Sequence, residues 1–85
     1  MTLEITLKND TGLHARPASL LTECVKAFES KIMVKKDENT YNPSSMMSLL
    51  SMEAGEGTKL IFTIDGSDEK EAYDAIKDLI EKEIK

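Results

Sequence analysis

The sequence predicts an α+β fold, one four-stranded antiparallel sheet with helices packed on one face, in the order β-α-β-β-α-β-α. Three observations carry this. Leu3, Ile5 and Leu7 alternate with Thr2, Glu4, Thr6 and Lys8, and Leu60, Phe62 and Ile64 alternate in the same way. That period marks strands with one buried face. Ala18, Leu21, Val25 and Phe28, and later Ala72, Ile76, Leu79 and Ile80, recur at helical spacing instead. The chain is 85 residues long, enough for one modest core, so a single domain over residues 1–85 is expected. Amphipathic strands and helices then bury their apolar sides against each other and leave the far side of the sheet to water.

The elements follow in order. The first strand runs through Leu3, Ile5 and Leu7, and Asn9-Asp10-Thr11-Gly12 is a loop with turn chemistry. A helix is predicted from Ala15 to about Ser30, with Pro17 in its first turn, where the missing N–H costs nothing. Lys31 to Lys35 is the second strand, Asp37-Glu38-Asn39 a turn, and Thr40-Tyr41-Asn42 a short third strand stopped by Pro43. Ser44 or Ser45 caps a short helix through Met52. Glu53 to Gly57 is a loop, Lys59 to Asp65 the fourth strand, and Asp68 with Glu71 matches a capping box opening the last helix.

Charge and composition exclude several function classes. A formal net charge of −5 argues against nucleic acid, whose binding needs basic patches, and favours a protein partner with a basic face. The longest apolar run, Met46 to Met52, is far too short for membrane insertion. The single cysteine, Cys24, gives neither an internal disulfide framework nor a cysteine zinc site, and reads as a small core hydrophobe. A free thiol and the absence of a signal-peptide pattern point to the cytoplasm. No motif calls for a cofactor or a metal.

The chemistry concentrates in Gly12-Leu13-His14-Ala15-Arg16-Pro17-Ala18, which holds the only histidine and the only arginine. They follow a strand and a glycine loop and open a helix. The first N–H groups of a helix have no intrahelical partners and its start is positive, so Ala15, Arg16 and Pro17 form a phosphate-binding helix start. Imidazole is a nucleophile in its neutral form, which a positive helix end favours. A phosphoryl group on His14 would meet groups already in place, and Arg16 would add charge-assisted hydrogen bonds. One arginine and one helix end, without a metal cage, suit reversible transfer better than tight binding. A metal site lacks a second histidine, and nothing in the sequence positions a Ser-His-acid triad.

These residues resemble the active-site signature of HPr, the histidine-containing phosphocarrier family of the bacterial phosphotransferase system. The resemblance covers nearly the whole chain. It includes Asn42-x-x-Ser45-Met46-Met47-x-x-x-Ser51-Met52, similar to the family's regulatory-serine segment, and Gly57 and Gly66-x-Asp68-Glu69-x-x-Ala72. It implies an open-faced β-sandwich with three helices on one face. It implies phosphorylation of His14 on Nδ1 by enzyme I, assistance from Arg16, and transfer to enzyme IIA domains in sugar transport, by a monomer. It further implies Ser45 as a regulatory site for an ATP-dependent HPr kinase/phosphorylase, and a catabolite-control transcription factor as a partner of the phosphoserine form. A phosphoserine there puts a dianion beside the expected docking surface, where it would weaken docking to acidic patches. Pro43-Ser44 and Ser48 depart from the family pattern, and Ser44 leaves the modified position open. As a bare residue, Ser45 is equally a helix N-cap.

Met46, Met47, Leu49, Leu50 and Met52 cannot all be buried by one face of a short helix. Met46, Met47, Leu50 and Met52 are therefore the expected partner-docking surface. Two other functions stay open. One is an HPr-like regulatory module, or a carrier for a non-sugar branch, acting mainly through protein binding. Such modules often lack the histidine, and His14 is retained. The other is an acylphosphatase-like hydrolase, with Arg16 holding phosphate and Asn42 as the catalytic amide.

Overall fold

The structure, a computed structural model, describes residues 1–8 and 13–83. The predicted turn at Asn9 to Gly12 lies outside the described residues. The elements are β1 (Thr2–Thr6), α1 (Ala15–Lys26), β2 (Lys31–Lys36), β3 (Asn39–Tyr41), α2 (Met46–Ser51), β4 (Lys59–Asp65) and α3 (Glu69–Glu83). The strands form one four-stranded sheet in the order β1-β4-β2-β3, antiparallel throughout.

Register decides which face is buried. Phe62 pairs with Leu3 on one side and Val34 on the other, while Ile64 pairs with Ile32 and Leu60 with Ile5. These residues share one face, and all but the half-buried Ile5 are buried. The opposite face presents Thr2, Glu4, Thr6, Lys35 and Thr63 to water. Ala18, Leu21 and Val25 of α1 and Ala72, Ile76 and Ile80 of α3 complete the core. Phe62 is fully buried, a contribution of about 1.5–3 kcal/mol by apolar burial.

Helices α1 and α3 run antiparallel, because each end of one meets the opposite end of the other. Past the end of α1, the Asp68 carboxylate accepts the Glu29 N–H at 2.8 Å, the Ser30 N–H at 2.9 Å and the Ser30 hydroxyl. At the start of α1, Arg16 Nη2 lies 3.3 Å from Glu83 Oε1.

Asp68 also explains two corrections. Helix α1 ends at Lys26 rather than near Ser30. The chain tightens through Ala27 N–H to Cys24 C=O and Phe28 N–H to Val25 C=O, and Asp68 then captures the next two amides. The predicted box between Asp68 and Glu71 gives way for the same reason. Glu69 instead reaches back to the Gly66 N–H at 3.4 Å. Gly66 itself sits against Ser30, where a Cβ would lie 2.6 Å from the Ser30 Cα. The third strand starts one residue early, after a two-residue turn with Asp37 at φ 57°. Asn42 leaves it because its N–H bonds the Ser48 hydroxyl.

Candidate functional site

His14 is the N-cap of α1, in extended conformation (φ −102°, ψ −171°), and its side chain makes no capping bond. Its carbonyl takes the first intrahelical bond, from Ala18 N–H at 3.0 Å. The Ala15 and Arg16 N–H groups lie ahead of that bond, and Pro17 has none to offer. His14, Ala15 and Arg16 are exposed, while Pro17 is buried. The exposed imidazole stands on a fixed base. Leu13 is buried in the core, and its N–H bonds the Ala54 C=O at 2.9 Å. The loop after α2 therefore holds the residue before the histidine.

The Arg16 side chain is 79% exposed and paired with Glu83, which is 29% exposed. This carboxylate was not singled out from the sequence. One signal was there: an acid in the last turn of a helix opposes the helix dipole and asks for another partner.

Ser45 is the N-cap of α2, half-buried, and its hydroxyl accepts the Ser48 N–H at 3.3 Å. Ser44 is exposed and bonds the Asn42 side-chain oxygen through its N–H at 3.0 Å and its hydroxyl at 2.7 Å. The Asn42 carboxamide oxygen is thus taken up locally, which gives no support to a catalytic amide at that position. Helix α2 packs on α1, the helix that His14 opens. Met47 is 77% exposed, and Met46 and Leu50 are half-buried. Met52 corrects the expectation: it is 1% exposed and belongs to the core. It falls past the last turn of α2, where the chain turns inward toward buried Ala54. Lys36, another residue the sequence did not single out, caps this end by donating to the Met52 C=O at 2.7 Å.

Cys24 is half-buried, and burial pushes its thiol pKa up, away from the reactive thiolate. Two open grooves, of about 550 and 370 Å³, are lined by residues other than His14. A small-molecule enzyme usually works in a concave pocket. Here the imidazole of His14 stands exposed at a helix start, next to a helix with an exposed methionine.

Residues 1–82 match the family described as the PTS HPr component phosphorylation site. The HPr-like protein Crh of Halalkalibacterium halodurans is 39% identical over 80 residues, covering 94% of this chain and 95% of that one. The phosphocarrier protein HPr of Treponema pallidum is 38% identical over 77 residues, covering 91% and 88%. The solved histidine-containing phosphocarrier protein of Mycoplasma superposes with a TM-score of 0.93 at 32% identity, covering 96% of this chain and 93% of that one. The site and fold thus define a phosphocarrier class, an open-faced sheet with helices on one side. The chain belongs to the PTS HPr family.

One further structure bears on assembly. Crh of Bacillus subtilis, 31% identical with a TM-score of 0.76 and covering 95% and 93%, is described as a dimer with a swapping domain. The monomer implied for this chain therefore stands beside dimeric relatives. Among the described residues, no helix is long and apolar enough to cross a membrane.

Proposed function

We propose that this chain, acting as one domain in the cytoplasm, carries phosphoryl groups in the phosphoenolpyruvate-dependent sugar phosphotransferase system. Neutral His14 attacks the phosphoryl group on enzyme I through Nδ1. The donor's P–N bond breaks as the new P–N bond forms, and the His14 ring keeps its proton on Nε2. Attack by a nucleophile on an enzyme IIA domain reverses the arrangement. The Ala15 and Arg16 N–H groups and the Arg16 guanidinium receive the added charge. The observation that carries this reading is the exposed, uncapped imidazole at the α1 start, with Leu13 anchored beneath it. Met46, Met47 and Leu50 supply the docking surface.

Incubation with phosphoenolpyruvate and enzyme I should add one acid-labile phosphate, and His14→Ala should abolish it. A wild-type chain that stays unlabelled with its cognate enzyme I overturns the reading. Light scattering checks the monomer against a 9.5 kDa chain.

A second reading is regulation through Ser45, supported by the similarity to Bacillus subtilis Crh, which is described as a catabolite repression protein. An ATP-dependent HPr kinase/phosphorylase would then add an acid-stable phosphate that Ser45→Ala removes and Ser44→Ala does not. The phosphoserine form would bind a catabolite-control transcription factor. Failure of the kinase to label the chain removes this reading and leaves the first untouched.

A further inference from the structure

We propose that Lys36 is a positioning residue for His14: its ammonium holds the Met52 carbonyl, and so keeps the segment from Met52 to Ala54 in the conformation that anchors Leu13 beneath the imidazole. The inference deepens the carrier reading above and rests on it for the role of His14.

Lys36 stands where the sheet pattern asks for an apolar residue. Ile32 and Val34 of β2 are buried, and Lys36 follows them at the same period, on the face the helices cover. The residue is half-buried. Its Nζ donates to the Met52 C=O at 2.7 Å and to the Glu53 C=O at 3.5 Å. A charged donor makes the stronger kind of hydrogen bond, and here it reaches the carbonyls that α2 leaves open at its end.

The segment needs such a hold. Met52 and Ala54 are buried, and Glu53 between them is exposed, with φ at 52°. A residue with a Cβ rarely takes this left-handed conformation, and keeps it only where the surroundings determine it. They do so on both sides of Glu53. Lys36 takes the carbonyl before it, and the Ala54 carbonyl after it receives the Leu13 N–H at 2.9 Å. The residue after Leu13 is His14, whose side chain makes no capping bond of its own. The imidazole therefore stands where the backbone beneath it is placed. Lys36 enters no covalent step. Its effect runs from the ammonium to Met52, through Glu53 to Ala54, and across to Leu13. Transfer geometry is sensitive to such placement, since a shift of about 1 Å can cost about a hundred-fold in rate.

The test begins with Lys36→Met, which keeps a long side chain and removes the donor. Hydrogen exchange of the Leu13 amide, followed by NMR, should speed up about ten-fold beyond any change in the β4 amides, which report on the whole fold. Phosphorylation by phosphoenolpyruvate and enzyme I should lose about three- to thirty-fold in kcat, with KM for the carrier unchanged. Lys36→Arg keeps a charged donor and should restore both readouts. Gly66→Ala crowds the far end of α1 and controls for general destabilisation; its kcat should match the wild type. Wild-type Leu13 exchange or kcat in Lys36→Met, equal defects in Lys36→Met and Lys36→Arg, or the same kcat loss in Gly66→Ala overturns the proposal. A wild-type chain that enzyme I does not label overturns the carrier reading, and Leu13 exchange then decides alone whether Lys36 holds this segment.

Discussion

Replacing Gly66 by alanine should destabilise the fold although no polar group is lost. A Cβ at Gly66 would lie 2.6 Å from both the Cα and the Oγ of Ser30. Carbon atoms settle at about 3.5–4.0 Å, so Ser30 must retreat by roughly 1 Å. The hydroxyl can rotate away, but the Cα cannot. The Ser30 N–H bond to Asp68, at 2.9 Å, moves with it and passes beyond hydrogen-bonding range. Overpacking of this kind costs about 1–3 kcal/mol. Gly66 has a φ of 159°, so alanine gains nothing there to offset this. The net loss is about 1–3 kcal/mol, a fall in Tm of roughly 5–20 °C for a domain of this size. Urea unfolding followed by circular dichroism should show a lower midpoint with the slope unchanged. Gly55→Ala is the control, since a Cβ there meets nothing within 4 Å. A wild-type midpoint for Gly66→Ala, or an equal fall for Gly55→Ala, refutes the reasoning.

Leu13→Ala should cost about 2–4 kcal/mol, because Leu13 is 5% exposed and leaves a cavity beneath the histidine; thermal melts check it, and a loss under about 1 kcal/mol would mean the anchor is not part of the core. Ser45→Ala should cost only about 0.5–1 kcal/mol, since its capping bond is long at 3.3 Å, while enzyme I labelling of His14 continues; loss of labelling would tie Ser45 to the transfer itself. The Ser30 hydroxyl first, and then the Glu29 N–H, hold the Asp68 carboxyl below its ordinary pKa. Its folded pKa is depressed, so its contribution to stability is present above the ordinary carboxylate range and is lost as pH falls through the lower folded value. Asp68→Asn should therefore be less stable at neutral pH and converge with wild type in acid. Urea midpoints across a pH series that stay parallel would contradict this.

Strands β1 and β4 were legible because one face of each is wet: Glu4 and Thr63 break the apolar run in a way that only a half-buried sheet explains. The Ser45 cap was legible because it is local, a hydroxyl three residues before the N–H it accepts. The end of α1 was not, because Asp68, which takes its trailing amides, lies 39 residues beyond Glu29. The periodicity through Phe28 is real, but it continues into a turn that another element closes. Met52 was misplaced for a different reason. A helix of six residues gives too little period to say which side the next residue takes, and only the buried position of Ala54 shows that the chain turns inward. His14 and Arg16 were visible as chemistry. Glu83 was not, because the residue it pairs with, Arg16, lies near the opposite end of the chain.

The two ends of α1 are held in different ways, and the difference suits a carrier. Beyond its C-terminal end, Asp68 accepts from two consecutive amides and a hydroxyl, with a glycine pressed against them. None of these groups needs to move for chemistry at His14. At its N-terminal end, Leu13 is fixed through the core and through Ala54, with Pro17 and Ala18 buried after it. The groups around the exposed histidine are an imidazole without a capping bond, amides ahead of the first helical bond, and an arginine in an exposed ion pair. An exposed ion pair is worth at most about 1 kcal/mol, so the Arg16 side chain is held only weakly where it stands. A buried ion pair would hold Arg16 too firmly, since breaking one costs about 3–5 kcal/mol. The rigidity at Asp68 lets the other end of the helix carry a weak, exchangeable contact without losing the position of the histidine.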